Sequence, residues 1–582
     1  MRELFRLKRV VTLSGVLLLV AISGVSATLL VSAKAPPNSP TAKKQVGPSN
    51  NPFCSKLGKS VQASQGAQMF CNGPQGSGAA AAQAITQSQA SGNPYAPNVN
   101  AANPAEDVTP SGVSVHGQSE TSIAAAGQYV VEAWNDGTGF FAPCGSPMNK
   151  DQLTGYGFST DGGKTFLDLG GLPNANCNSS IIAGDPSVEV YTSGGSTYFY
   201  ISSIFIPFSV PENAMSITAC KVTGSGSTAT LGCGQPIVAA ISSDCQTFDT
   251  FTFCSFLDKE FLSIDPVRGR LYMSYTEFGP STGFSGVVEL AVCDLSSPAS
   301  PTCHNGSDGS ITGSGAPAAP YFVVAPGDPN FCENEGAYPA VDVGTGDVYV
   351  AYEHDWFSGL FNCGNETTQN VMNLVPFSCL TLTPTSPCAG PTATKAEDIT
   401  SMEAAFIPGY NRFPMNDFPR VAVSGPAGTV SMVWNDARKK PSGDILMQSY
   451  NLGSLTRVQS SPVQVNNPST ASGWEFLPAV RGADSNGKLE VTYYSRANPN
   501  TALTDVFASV RIDPRMTGTV KAKGIKVTTG SSDWNAVSSI IVPNFGDYTD
   551  NYFVGGVLHV AWSDGRLGIP QPFEDPLPVR HT

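Results

Sequence analysis

Charge is scarce in this chain. Asp, Glu, Lys and Arg make up 13% of its 582 residues, and acids outnumber bases 46 to 32. The net charge of −14 leaves no basic footprint of the kind nucleic acids require. It also excludes any general attraction to anionic membranes or polyanions, so an anionic ligand must be caught by a local cluster of Arg or Lys. Arginine is missing altogether between Arg9 and Arg268. The five His are scattered and no Cys-x-x-Cys occurs, which argues against a metal centre. His-Glu-x-x-His and phosphate-loop motifs are absent too. Long helices are disfavoured, because 59 Gly and 45 Pro weaken helix interiors and favour short strands joined by turns.

One long apolar run is present. Arg2, Arg6, Lys8 and Arg9 precede an uncharged stretch over residues 10–33. Basic residues ahead of such a run hold the N-terminus inside and send the rest out. Residues 1–33 are therefore expected to be a signal peptide or an N-terminal membrane anchor, since the stretch is long enough to span a bilayer. The remainder is expected to be extracellular or at the cell surface. The fourteen cysteines agree with that compartment, and their short spacings suggest sequential disulfides. The pairs expected are Cys54–Cys71, Cys144–Cys177, Cys220–Cys233, Cys245–Cys254, Cys293–Cys303, Cys332–Cys363 and Cys379–Cys388. Residues 34–112 are rich in Pro, Asn, Ala, Ser, Gln and Gly and read as a low-complexity linker. A short helix stapled by Cys54 and Cys71 is expected inside it.

From residue 113 a repeat emerges: a short apolar strand, a Gly-containing turn, then a strand rich in Val, Tyr and Trp. Its copies are Thr121–Asp136, Pro186–Ser203, Phe261–Phe278, Tyr338–Asp355, Phe418–Arg438, Phe476–Arg496 and Tyr548–Arg566. Segments such as Val348-Tyr-Val-Ala-Tyr352 are apolar on both faces, so each hairpin needs neighbours on either side. The fold expected is all-β, a β-propeller of seven blades over residues 113–570 with a C-terminal tail over 571–582.

The stretch Phe158-Ser-Thr-Asp-Gly-Gly-Lys-Thr-Phe166 places Ser159, Asp161, Gly163, Thr165 and Phe166 on the pattern Ser-x-Asp-x-Gly-x-Thr-aromatic. Asp161 can fold its carboxylate onto nearby backbone N–H groups while Gly162 and Gly163 supply positive φ. Ser242-Ser-Asp-Cys-Gln-Thr-Phe248 is a second copy with one residue lost. This pattern resembles the Asp box, or BNR repeat, of bacterial sialidase-like β-propellers. The resemblance covers residues 113–570 and implies that the box is a structural staple. Sialidases have six blades, so the resemblance leaves six open against the seven hairpins.

Two charged patterns fall where the blade loops would surround a channel mouth. Glu120, Asp185, Glu260, Glu335, Asp417, Glu475 and Asp547 each precede a hairpin's first strand. They read either as a collar for a cation such as calcium or for sugar hydroxyls, or as acids satisfying free N–H groups at strand starts. The second pattern is Trp-polar-Asp-x-Arg, in Trp434-Asn-Asp-Ala-Arg438 and Trp562-Ser-Asp-Gly-Arg566; Trp134-Asn-Asp136 lacks the Arg and Tyr494-Ser-Arg496 lacks the Asp. It reads as a turn cap with an aromatic plug, or as a source of converging guanidinium forks.

Sialidases grip a substrate carboxylate with three arginines and use a Tyr nucleophile, an activating Glu and an Asp acid/base. The resemblance therefore points to Arg438, Arg496 and Arg566 for binding, to Tyr548 or Tyr552 beside Glu475, and to Asp136. The chain departs from the family at its Phe-Arg-Ile-Pro motif, of which Arg412-Phe-Pro414 is a late echo. Function then divides between recognition of a glycan or cell-surface protein and glycoside hydrolysis, with an exo-sialidase and a non-catalytic scaffold as the two extremes. A two-carboxylate glycosidase would carry its pair about 5–9 Å apart in the channel mouth. No cofactor is implied beyond calcium, and membrane contact only through the N-terminal segment.

Overall fold

Seven antiparallel sheets follow one another along the chain, and each of the seven repeats forms the inner hairpin of one sheet. The computed structural model describes residues 97–579 except 105–116, 141–151, 243, 249–250, 304–321, 329–331, 355–367, 381–389, 403–404, 413–414, 467–472, 518–522 and 540, together with Cys54, Ala67 and Cys71. The leader and most of the expected linker, including the short helix, lie outside these residues. No helix among the described residues is long and apolar enough to cross a membrane.

The inner hairpins are Gln118–Ala126 with Tyr129–Asp136, Ser187–Ser193 with Ser196–Pro207, and Phe256–Asp265 with Arg270–Phe278 in blades 1 to 3. Blades 4 to 7 carry Asn334–Val341 with Val348–His354, Arg420–Ser424 with Thr429–Asp436, Trp474–Ala479 with Leu489–Arg496, and Asp550–Val554 with Val557–Asp564. First strands of consecutive blades pack side by side except between blades 5 and 6, where Trp474–Ala479 packs on Thr429–Asp436 and Asp444–Asn451, and blade 7 meets blade 1. The result is a seven-bladed β-propeller.

Packing explains the doubly apolar strands. Ala124, Val131, Ala133, Ile182, Val188, Phe199 and Ile201 form one core between blades 1 and 2. Ala422, Val433, Ile445, Val480, Val491 and Tyr493 form the corresponding core between blades 5 and 6. Each sheet is thus covered on both faces, and each buried side chain of this size contributes about 1.5–3 kcal/mol.

Two segments differ from the sequence-based boundaries. Gln571–Pro578, expected as a tail, is the third strand of blade 7. Val99–Asn100, expected in the linker, is its fourth, with Val99 opposite Glu574 and Asn100 opposite Phe573. The ring is therefore closed by residues from opposite ends of the described chain. The joining strand has no apolar alternation to betray it. It is held by main-chain pairing and by Asn98, whose Nδ2 donates to Asp575 Oδ2 at 2.6 Å and to Val527 O at 3.0 Å.

Disulfides Cys54–Cys71, Cys220–Cys233, Cys245–Cys254 and Cys293–Cys303 are present as expected. Cys177, Cys332 and Cys379 are also disulfide-bonded, and the partners expected for them lie outside the described residues. These bridges fit an oxidising compartment. In the Ser159–Phe166 turn, Thr165 donates to Asp161 through N at 2.9 Å and Oγ1 at 2.8 Å, and Gly163 N donates to Ser159 Oγ at 2.9 Å. Partial burial pushes the Asp161 carboxyl up, but the Thr165 and Ser159 hydrogen bonds outweigh it and hold the group below its usual range. Phe166 packs on Ala101, Ala102 and Trp134. The Ser242–Phe248 copy folds differently: Cys245–Phe248 pairs with Phe251–Cys254, and Asp244 Oδ2 accepts from Ser281 N at 2.7 Å.

Candidate functional site at the propeller axis

The geometry of the axis starts from a backbone irregularity repeated in five blades. Two residues before regular pairing resumes at Ser122, Ser187, Phe261, Tyr338 and Ala479 stand Glu120, Asp185, Lys259, Gly336 and Leu477. Their φ values are 56°, 58°, 57°, 69° and 49°, all left-handed. Only Gly336 adopts this conformation freely; for each of the others it costs about 1–2 kcal/mol. At Gly336 a Cβ would lie 2.3 Å from Phe418 Cγ, so glycine is also required by space. The bulge re-aims side chains at the start of the inner strands.

Three of the strained residues meet. Lys259 Nζ lies 2.9 Å from Asp185 Oδ2, 3.2 Å from Glu120 Oε1 and 2.8 Å from Asp547 Oδ2. Arg412 Nη1 reaches the same Asp547 oxygen at 2.8 Å. Asn135 Nδ2 bridges Glu120 at 2.8 Å and Asp185 at 3.1 Å. All these side chains are buried. Burial pushes the Glu120 carboxyl well above its usual range, and Asp185 adds to this more than Lys259 removes. Asp185 goes the other way: the Lys259 ammonium overcomes burial and holds it below its usual value. Burial pulls Lys259 down, but Asp185, Asp547 and Glu120 outweigh it and hold the ammonium charged.

The remaining acids of the collar are buried at other heights. Relative to the left-handed residue Glu260 stands one position later and Glu335 one earlier, and burial raises both well above their usual range. Asp417 accepts from Met402 N at 2.8 Å and is pushed up to about 8, chiefly by burial. Glu475 accepts from Ser495 Oγ at 3.2 Å. Glu120, Asp185 and Asp547 thus converge, but Lys259 and Arg412 supply from within the chain the positive charge a calcium ion would have brought. The two described groupings with metal-ligand spacing are Glu212 with Cys245 and Cys254, and Asp328 with Cys332 and His354. Both rely on cysteines engaged in disulfides, which have no thiolate to offer.

Two loops beside this cluster are tied to each other. Tyr410 Oη donates to Gly546 O at 2.7 Å, and Asn544 N donates to Asn411 Oδ1 at 2.7 Å. Asn416 Nδ2 adds a bond to Asp547 O at 3.2 Å. Trp534 stacks on Phe545 with ring centroids 3.8 Å apart, and Tyr410 lies against it at 5.6 Å. The loops entering blades 5 and 7 are thereby interlocked.

The candidate catalytic groups do not form a set. Tyr548 Oη donates to Pro186 O at 3.0 Å, and burial followed by Glu120 and Asp185 pushes the phenol well above its usual range. Glu475, expected to activate it, is engaged with Ser495. Tyr552 stands against Arg481, whose Cζ lies 5.8 Å from the ring centre. Asp136 is buried at the end of its strand, opposite Gln118.

The three arginines do not converge on one another either; each is tied to protein groups around it. Trp434 Nε1 donates to Asp436 Oδ2 at 3.0 Å, and Arg438 grips that carboxylate through Nε at 2.9 Å and Nη2 at 2.7 Å. Blade 7 repeats this: Trp562 Nε1 and Arg566 Nη2 each lie 2.7 Å from Asp564 Oδ2. Arg496 lacks an aspartate. It is buried, donates to Thr504 Oγ1 at 2.8 Å and Pro408 O at 2.7 Å, and lies 4.7 Å from the centre of the Trp534 ring. The recurrent motif is a staple of the second strand.

Two further arginines, unassigned by sequence reasoning, occupy the axis. Arg481 Nη1 donates to Val188 O at 2.6 Å and pairs with Asp550 at 3.3 Å, while its Nε reaches Tyr338 Oη at 3.1 Å. Arg420 lies among Phe261, Tyr338 and Tyr548, its Cζ 4.3, 4.7 and 5.3 Å from their ring centres. The available signal was a lone cation in an otherwise apolar inner strand, which holds for Arg420 in Arg420–Ser424; Lys259 is flanked by Asp258 and Glu260, and Arg481 lies just past Trp474–Ala479.

No family model and no curated protein matches the sequence. Among solved structures, a Penicillium chrysogenum α-L-arabinanase complexed with arabinobiose aligns with TM-score 0.38 and 12% identity, over 71% of this chain and 97% of that one. An α-L-arabinofuranosidase from Fusarium graminearum aligns with TM-score 0.37 and 11% identity, over 75% and 98%. Trypanosoma rangeli sialidase gives TM-score 0.32 and 11% identity over 82% of this chain, which spans 57% of that protein's length. The likeness concerns architecture, and no residue role is carried across.

Proposed function

We propose that this chain is an exported β-propeller that recognises a glycan or a protein at the cell surface, presented there by its N-terminal segment, and that it does not hydrolyse glycosides. One observation carries the reading: the groups a glycosidase would aim at its substrate are engaged inside the protein. Asp185 and Asp547 face Lys259, Tyr548 donates to Pro186, and Arg438 and Arg566 close on Asp436 and Asp564. A nucleophile or acid must lie within reach of the substrate atom it serves. Here the axial acids and Tyr548 are buried, while Arg438 and Arg566 are committed to their aspartates.

The test is turnover of fluorogenic sialosides and arabinofuranosides by the purified protein, alongside a glycan array. The expected result is binding or inertness on the array and no release above buffer. Turnover abolished by Tyr548→Phe would replace this reading with an active glycosidase. That second reading has one observation in its favour: two neighbouring carboxyls are pushed apart, Glu120 up and Asp185 down, the asymmetry that acid/base pairs use. Loss of turnover in Glu120→Gln would then assign the proton donor.

A further inference from the structure

We infer that the propeller axis binds a small monovalent anion of chloride's class at Arg420. The inner strand of blade 5 carries this arginine to the level of Ser122, Phe261 and Tyr338, because Arg420 pairs with Val433 as Ser122 does with Ala133. The residue is 4% exposed. Three aromatic rings surround its Cζ within 5.3 Å. Rings satisfy the faces of a guanidinium, but its five N–H donors lie in its plane and require acceptors. Among the described residues the Arg420 side chain makes neither a hydrogen bond nor an ion pair, and its nitrogens are not among the atoms that, like Nη2 of Arg496, are both sealed from solvent and unpartnered.

The surrounding charges leave the guanidinium without a counter-charge of its own. Asp550, the acid that acts on Arg420, is shared by Arg481 at 3.3 Å and Ser122 Oγ at 2.6 Å. Glu189 lies 3.6 Å from Arg481, and burial raises its carboxyl above the usual range. Arg420 is thus a buried cation without a counter-charge at bonding distance, a state that costs several kcal/mol unless something compensates it. Tyr338 adds a donor, since its oxygen accepts from Arg481 Nε and its own O–H is uncommitted. Donors from blades 4 and 5 with no acceptor between them specify an anion. The aromatic walls select a weakly hydrated one of small size.

Crystals of the full-length protein soaked in bromide should show an anomalous peak within hydrogen-bonding distance of the Arg420 guanidinium. In solution, replacing gluconate with chloride at constant ionic strength should raise the Tm saturably, by roughly 1–3 °C. Arg420→Met should abolish the chloride dependence, with a Tm in gluconate no lower than that of the parent, because the uncompensated charge is gone. Water alone at Arg420 together with identical Tm values in the two salts would overturn the proposal. Should Arg420→Met fail to fold, the halide peak and salt response of the parent protein decide it by themselves.

Discussion

Two sets of charged residues recur at fixed blade positions, the acids in all seven blades and the arginines in three, and they behave in opposite ways. The acids before the first strand sit beside the axis, where a left-handed bulge aims some of them at one another across blades 1, 2, 3 and 7. The arginines after the second strand sit one strand further out, about 4.8 Å from the axis-lining strand. Arg438 and Arg566 each find an aspartate two residues away, and Arg496, which has none, is held by Thr504 and Pro408. Recurrence at one blade position is therefore not convergence. Distance from the axis and the local backbone decide which repeated residues meet.

The comparison is most severely tested at Lys259. Lys259→Met leaves Glu120, Asp185 and Asp547 facing each other with Arg412 alone to offset them. A loss of about 3–5 kcal/mol or failure to fold is expected in denaturant unfolding. A stable variant would show that the acids do not depend on their internal cation. Gly546→Ala tests the same hub through the backbone. Gly546 has φ of 79°, and a Cβ would stand 2.4 Å from Glu120 N. The conformation alone should cost about 1–2 kcal/mol, with the displaced Glu120 adding to it.

The staples should respond more mildly and one-sidedly. Asp436→Ala strips the partner from both Trp434 Nε1 and Arg438, and about 1–3 kcal/mol should be lost. Arg438→Ala removes a side chain that is 32% exposed, where screening limits the pair to about 1 kcal/mol or less. If the two variants lost equal stability, the arginine would be the essential half of the motif.

The pH response reads buried ionisable groups outside both the hub and the staples. Asp417 and Glu490 are pushed up to about 8, chiefly by burial, so the folded state holds protons that the unfolded chain has released. Their contribution is fully present below the unfolded carboxylate range and is lost as pH rises through 8. His559 is pulled down to about 4 by burial, so its contribution is lost as pH falls below the unfolded value near 6.5. Between pH 4 and 6.5 the two oppose; above 6.5 only the carboxyls act. Tm should therefore fall between pH 6.5 and 8.5, and Glu490→Gln should flatten that slope.

The seven hairpins were legible because they depend on short-range patterning. A strand covered on both faces must be apolar at successive positions, and Val348–Tyr352 or Val557–Trp562 shows this without any knowledge of neighbours. The acids at strand starts were legible as a set, but not which of them meet. A one-residue difference in register puts Glu260 and Glu335 off the level of Glu120 and Asp185. Arg412 passed for an echo of an absent motif, although it is the second cation of the hub.

The blade-closing strand was hidden for a different reason. Val99–Asn100 and Glu574 are 475 residues apart, and a two-residue strand of polar character carries no periodicity. Composition, four local disulfides and the repeated sheet unit followed from the sequence itself, since each rests on local chemistry or simple counting. Only the tertiary structure decided which charges neutralise each other, because bending seven sheets around one axis brings together residues more than 400 positions apart at distances set by a single bulge.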